Sequence, residues 1–156
     1  KGFLPDFSGK HKLAGRTLMR TWDPKAEEIM KERFGRNRLI ALATAVDGIP
    51  YVRNVTAYYE GGSFYIITDA RSEKMKQIAK NPTAAVAGEW FEGHGTCVNL
   101  GYFGAPENRE TAEKLGAAFG EWIHDIHVDL SDENTVLLRV KLTDGKLLSD
   151  GTKYEI

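Results

Sequence analysis

Hydrophobic positions along the chain switch between a helical period and a strand period, and each switch marks an element. Asp23-Pro24 reads as an N-cap followed by proline at the first helical position, and Ile29, Met30 and Phe34 form an apolar stripe ending near Gly35. This predicts a first helix. Arg38 to Ala45 alternates as a strand, Asp47-Gly48 supplies a turn, and Tyr51 to Tyr59 returns rich in β-branched and aromatic residues. Gly61-Gly62 turns again into Phe64 to Thr68, completing a three-strand meander.

From Ser72 the period becomes helical, with Met75, Ile78 and Ala79 on one face, until Asn81-Pro82 stops it. Thr83 to Trp90 and His94 to Phe103 form a second hairpin, connected by Phe91-Glu92-Gly93. Ala105-Pro106 opens a helix through Ala112, Leu115, Ala118 and Phe119, with Trp122 and Ile123 extending its face beyond Gly120. Thr135 to Leu142 is a strong strand, Asp144-Gly145 its expected turn, and Lys146 to Leu148 a last short strand. Residues 1–20 show no sustained period and are expected to be an irregular arm before a single domain over 21–156. The order predicts a mainly β, α+β fold: an antiparallel barrel that hides its strand edges, with peripheral helices.

Composition narrows the classes. In 156 residues, 21 basic and 22 acidic side chains leave a net charge of −1, so no global field draws in nucleic acid or an anionic membrane. Neither partner is expected. Cys97 is the only cysteine, which excludes an internal disulfide and points to a small buried side chain in a reducing, cytoplasmic setting. No apolar run is long enough to span a bilayer. His124 and His127 lie three apart beside Asp125 and Asp129; they lack a third placed metal ligand, and histidine near a helix C-terminus is favourable without one. No metal site is expected.

The most informative feature is Arg71-Ser72-Glu73-Lys74. With Ser72 as N-cap, Lys74 falls in the first helical turn, where the helix dipole opposes positive charge. Either Glu73 and solvent screen it, or an anion such as phosphate removes the conflict by accepting from the hydroxyl, the helix amides and the ammonium. Arg53 shares a strand face with Tyr51, Val55, Ala57 and Tyr59, so it lies at a rim as an ion pair, faces solvent, or marks the mouth of a cavity. Thr68 ends the next strand, placing four polar groups within reach of one phosphate. His94, between Gly93 and Gly95, reads as a hairpin residue or a polar group lining a cavity.

The ordered set Gly48-Ile49-Pro50-Tyr51-Val52-Arg53-Asn54-Val55, Phe64-Tyr65-Ile66-Ile67-Thr68, Ser72 to Ile78 and Asn81-Pro82 resembles the pyridoxamine 5′-phosphate oxidase-like family of FMN-binding split β-barrels, especially its short general-stress and flavin-reductase-like members. The resemblance implies FMN, with Arg53, Thr68, Ser72 and Lys74 at its phosphate end and the backbone around Asn54 and Val55 near the polar edge of its ring. It also implies a homodimer with the cofactor at the interface, where Trp90 and Phe91 of the opposite chain close the pocket or pack as core. The implied activity is reduction of a small acceptor by NADH or NADPH; a flavin carrier, or a barrel holding F420 or heme, are the alternatives. The terminal segment Gly145 to Ile156 has no Trp, Arg or His and so departs from the oxidase's substrate motif, which argues against pyridoxamine 5′-phosphate as a substrate.

Overall fold

A computed structural model describes residues 22–120 and 129–156; the arm 1–20 and the Trp122, Ile123, His124 and His127 readings lie outside the described residues. Helix α1 (Pro24–Phe34) begins as its sequence dictates, with the Asp23 carboxylate accepting from the Ala26 amide at 2.8 Å. Strands β1 (Arg38–Val46), β2 (Ile49–Glu60) and β3 (Ser63–Asp69) form the meander. Asp47 and Gly48 both take positive φ, 53° and 78°, the conformation of a two-residue hairpin turn.

Helix α2 (Glu73–Lys80) follows, then β4 (Thr83–Gly88), β5 (Phe91–Tyr102), a 3₁₀ turn at Pro106–Asn108, α3 (Arg109–Phe119), β6 (Thr135–Ser149) and β7 (Thr152–Glu155). The sheet order is β3-β2-β1-β4-β5-β6-β7, and β3 also pairs with β6. Six antiparallel strands therefore close into a barrel, with β7 added outside on β6. The ring is closed between β2 and β3 only over Tyr58–Glu60 and Ser63–Tyr65, so the earlier part of β2 keeps an edge that β3 does not pair.

The barrel interior holds Phe34, Ile40, Leu42, Tyr59, Phe64, Ile66 and Leu147, and α1 adds Ala26, Ile29 and Met30 across its end. Phe34, Phe64 and Phe91 meet as an aromatic triad with centroids 5.6–5.7 Å apart. A smaller cluster of Leu115, Phe119 and Leu137 fixes α3 to the barrel. Cys97 is buried, and burial pushes its thiol up to about 11, so it is packing rather than a nucleophile. No described helix is long and apolar enough to cross a membrane.

Three local expectations are corrected. The turn between β4 and β5 is Glu89-Trp90, and Phe91-Glu92-Gly93 belongs to β5. Asp144-Gly145 is not a turn: β6 runs through it without stopping, and the turn lies at Asp150-Gly151, with φ 49° and 76°, leading into β7. Ala79 is exposed; Met75 and Ile78 alone are fully buried on α2.

Candidate functional site

Arg53 lies on β2 opposite Leu42 of β1, on the inward face one step beyond the sealed core residue Val55. At that height the barrel opens, and α2 packs against β1. The guanidinium is fixed by neutral acceptors only. Its Nη1 donates to the Leu42 carbonyl at 3.1 Å and to Thr44 Oγ1 at 2.9 Å, and its Nη2 donates to Gln77 Oε1 at 2.7 Å. Thr44 donates its own proton to the same Gln77 oxygen at 2.6 Å. Burial lowers the Arg53 pKa, yet no carboxylate compensates its charge among the described residues.

Lys74 stands in the first turn of α2 and makes no ion pair among the described residues. Its pKa is pushed down by burial first and by the Arg53 charge second, with Asp69 pulling the other way. Two cations therefore approach one another at the mouth of the barrel. Between them in sequence, Ser72 adopts the extended N-cap backbone (φ −65°, ψ 155°) without capping: its Oγ is buried and has no hydrogen-bond partner. A buried hydroxyl left unbonded is costly, and like charges repel. An anion accepting from all three relieves both penalties, so this donor set fits a phosphate.

The other expected residues take up varied places in the barrel. Thr68 is buried on β3 opposite Val136 of β6, because β3 leaves β2 after Tyr65 to close the barrel. Asn54 points outward, opposite Ala41, and the Val55 side chain is in the core, leaving only backbone from that pair for a ligand. Phe91 is 4% exposed and packs inside its own barrel against Trp22, Phe34 and Phe64. It cannot close a partner's pocket as a surface ring would; it is core. Trp90 is 67% exposed at the β4–β5 turn and holds φ 51°, a conformation unusual for a bulky residue. Thr44 and Gln77 escaped the sequence reading. Their only signal was polarity at positions facing the barrel on β1 and the apolar side of α2.

The chain belongs to the pyridoxamine 5′-phosphate oxidase family, whose sequence pattern matches residues 26–149. Among solved structures it is similar to General Stress Protein 26 from Bacillus anthracis, at 17% identity over 84% of this chain and 98% of that one, with a TM-score of 0.65. It is also similar to an FAD-binding protein from Mesorhizobium loti, at 17% identity over 89% and 99% of the two chains, TM-score 0.62. The heme storage protein HutZ from Vibrio cholerae shares 15% identity over 77% of this chain and 89% of its own, TM-score 0.57. At these identities the likeness concerns the fold. No curated protein matches the sequence.

Proposed function

We propose that this protein binds FMN, with its phosphate on Arg53, Ser72 and Lys74, and serves as an NADH- or NADPH-linked oxidoreductase acting on a small acceptor. The observation that carries the reading is the pairing of an unbonded, buried Ser72 Oγ with two cations that form no ion pair among the described residues. Gln77 and Thr44 orient Arg53 without neutralising it, so its charge is kept for the phosphate. In this reading the Asn54 backbone, on a stretch of β2 that β3 does not pair, would meet the ring end, while the first amides of α2 add to the anion's field. When bound, FMN supplies a two-electron centre between a reduced nicotinamide and the acceptor.

The same reading includes a homodimer. Leu39 and Val52, on the outer face with Asn54, expose 68% and 70% of their surface, and a second copy would cover them. That copy's Trp90 is the aromatic available to shield the ring. Sedimentation equilibrium of the flavin-loaded protein is expected to give a dimer at micromolar concentration; a monomer removes the shared pocket.

An absorbance spectrum of the purified protein separates flavin, with two bands in the near-ultraviolet and blue, from heme, with its Soret band, and from F420. Anaerobic mixing with each nicotinamide is then expected to bleach the flavin, while pyridoxamine 5′-phosphate does so poorly. Failure of both NADH and NADPH assigns the protein to flavin carriage instead.

A further inference from the structure

Two carboxylates stand near Lys74 in the chain, and each is turned to another cation. Glu73 meets Lys76 at 3.2 Å. Asp69, the last residue of β3, is held by Arg71 through three hydrogen bonds: its Oδ1 accepts from the Arg71 amide at 2.7 Å and from Nε at 3.0 Å, and its Oδ2 accepts from Nη2 at 2.8 Å. Both carboxylate oxygens are thereby engaged by one residue. These bonds hold the Asp69 carboxyl down to about 2, so it stays a full negative charge beside the phosphate donors.

The position of that charge is what makes the arrangement consequential. The Asp69 carbonyl accepts from the Ser72 amide at 3.1 Å, closing the turn that delivers Ser72 and Lys74 to the site. Lys74 feels Asp69 through space, since the carboxylate pulls its pKa upward, yet the two form no ion pair. Arg71 is braced on its other side as well. Its Nη2 lies 3.7 Å from Asp132 Oδ2, in the turn that leads into β6, while Asp132 Oδ1 accepts from the Asn134 amide and side chain and the Ala70 amide donates to the Asn134 carbonyl at 2.7 Å. Stability is a poor account of the Asp69–Arg71 pair, because its side chains are 47% and 64% exposed and such pairs contribute little to folding. What a two-pronged guanidinium contact supplies is direction.

We propose that Arg71 is a positioning residue of the phosphate site: it holds the Asp69 carboxylate away from Lys74 and so keeps the ammonium free for the phosphate. Released, Asp69 would turn to Lys74 and become an internal competitor that an incoming phosphate has to displace. Arg71 is not itself a phosphate ligand, and its whole effect on binding runs through Asp69. The proposal rests on the reading of Arg53, Ser72 and Lys74 as phosphate donors, but the diversion of Asp69 is a property of the ligand-free protein and is measured without FMN.

The test is a double-mutant cycle in the full-length chain with Arg71→Ala, Asp69→Asn and the two combined; Asp69→Asn removes the charge and keeps an oxygen for the Arg71 amide. Flavin fluorescence gives the Kd for FMN and for riboflavin, which lacks the phosphate, and NMR of the lysine side chains gives the Lys74 pKa of the ligand-free protein, with the amide spectrum checking the fold. Arg71→Ala should raise the FMN Kd about two- to fivefold, the size of one exposed ion pair to be displaced, leave riboflavin unchanged and raise the Lys74 pKa. Asp69→Asn should bind FMN at least as tightly as the parent and lower the Lys74 pKa. In the Asp69→Asn background, Arg71→Ala should change neither quantity. Equal weakening of FMN by Arg71→Ala in both backgrounds overturns the proposal, because Arg71 then binds the phosphate directly. An unchanged FMN Kd, or an unmoved Lys74 pKa, in Arg71→Ala overturns it as well, since Asp69 then does not compete. If Lys74→Ala leaves FMN binding intact, the phosphate reading fails and the role of Arg71 in it falls too, while the Lys74 titration still decides whether Arg71 diverts Asp69.

Discussion

Lys74→Ala is expected to weaken FMN binding roughly ten- to a hundredfold while leaving the ligand-free protein no less stable than before. A charge-assisted hydrogen bond contributes about 1.5–3 kcal/mol, which sets the first figure. The second effect follows from the site itself. Burial and the Arg53 charge together outweigh the pull of Asp69 on Lys74, so its charge is a burden until an anion arrives. Its folded-state pKa is depressed, so the unfolded chain binds more protons over the window from that lowered value up to the ordinary lysine value of about 10.4. The lysine's contribution to the stability of the ligand-free protein therefore rises as pH climbs through that window, and it is absent below it. The Lys74→Ala variant should lack this rise, and bound FMN should suppress it in the parent. Urea midpoints across the alkaline range, with and without FMN, and a flavin-fluorescence titration at neutral pH measure all three. An unchanged FMN titration curve would remove Lys74 from the phosphate site.

Phe91→Ala should cost about 3–5 kcal/mol of folding stability, the range for truncating a buried phenylalanine. The ring touches Trp22, Phe34 and Phe64 and sits against Gly145, so its loss opens a void at the centre of the barrel. Trp90→Gly, one position earlier, should do the reverse. It replaces an exposed side chain at φ 51° by the residue that occupies that region most freely, and should stabilise the fold by up to about 1 kcal/mol. Chemical denaturation of the two variants separates the neighbours. If Phe91→Ala were nearly neutral, the aromatic triad would not be the centre of the core.

The contrast between Asp47-Gly48 and Asp144-Gly145 explains how far the sequence could be read. Both dipeptides carry the signal of a hairpin turn, and the first obeys it. The second is held extended by its pairing with Gly93 and His94 of β5 and by the Ile156 amide on the Gly145 carbonyl, and its glycine serves another purpose: the Trp22 ring covers it so closely that a Cβ would lie 2.8 Å away. That purpose is tertiary and leaves no local trace. The opposite failure occurs at Glu89-Trp90, where a real turn carries a tryptophan at positive φ that no turn preference would select.

The candidate phosphate site was legible to the same extent that it is local. Ser72 and Lys74 announce themselves by their position in one helical turn, and Arg53 by standing among apolar neighbours on one strand face. Thr44 and Gln77 acquire their role only when α2 settles on β1 and brings two neutral oxygens to the guanidinium. The course of β3 is hidden for a related reason. A meander suggests that β3 stays beside β2 throughout, whereas it leaves β2 after Tyr65 and runs on beside β6 alone.

That meeting of β3 with β6 has a kinetic consequence. Residues 63–69 form one half of the closing seam, and residues 135–141 form the other. Every local hairpin can assemble during synthesis, but the seam has to wait until the second half has left the ribosome. Loop closure over so long a stretch is slow compared with hairpin formation. Until then β3 presents an unpaired apolar edge, with Phe64 and Ile66 exposed that are later sealed in the core. The nascent chain should therefore be most vulnerable to aggregation in the interval between completing β3 and completing β6.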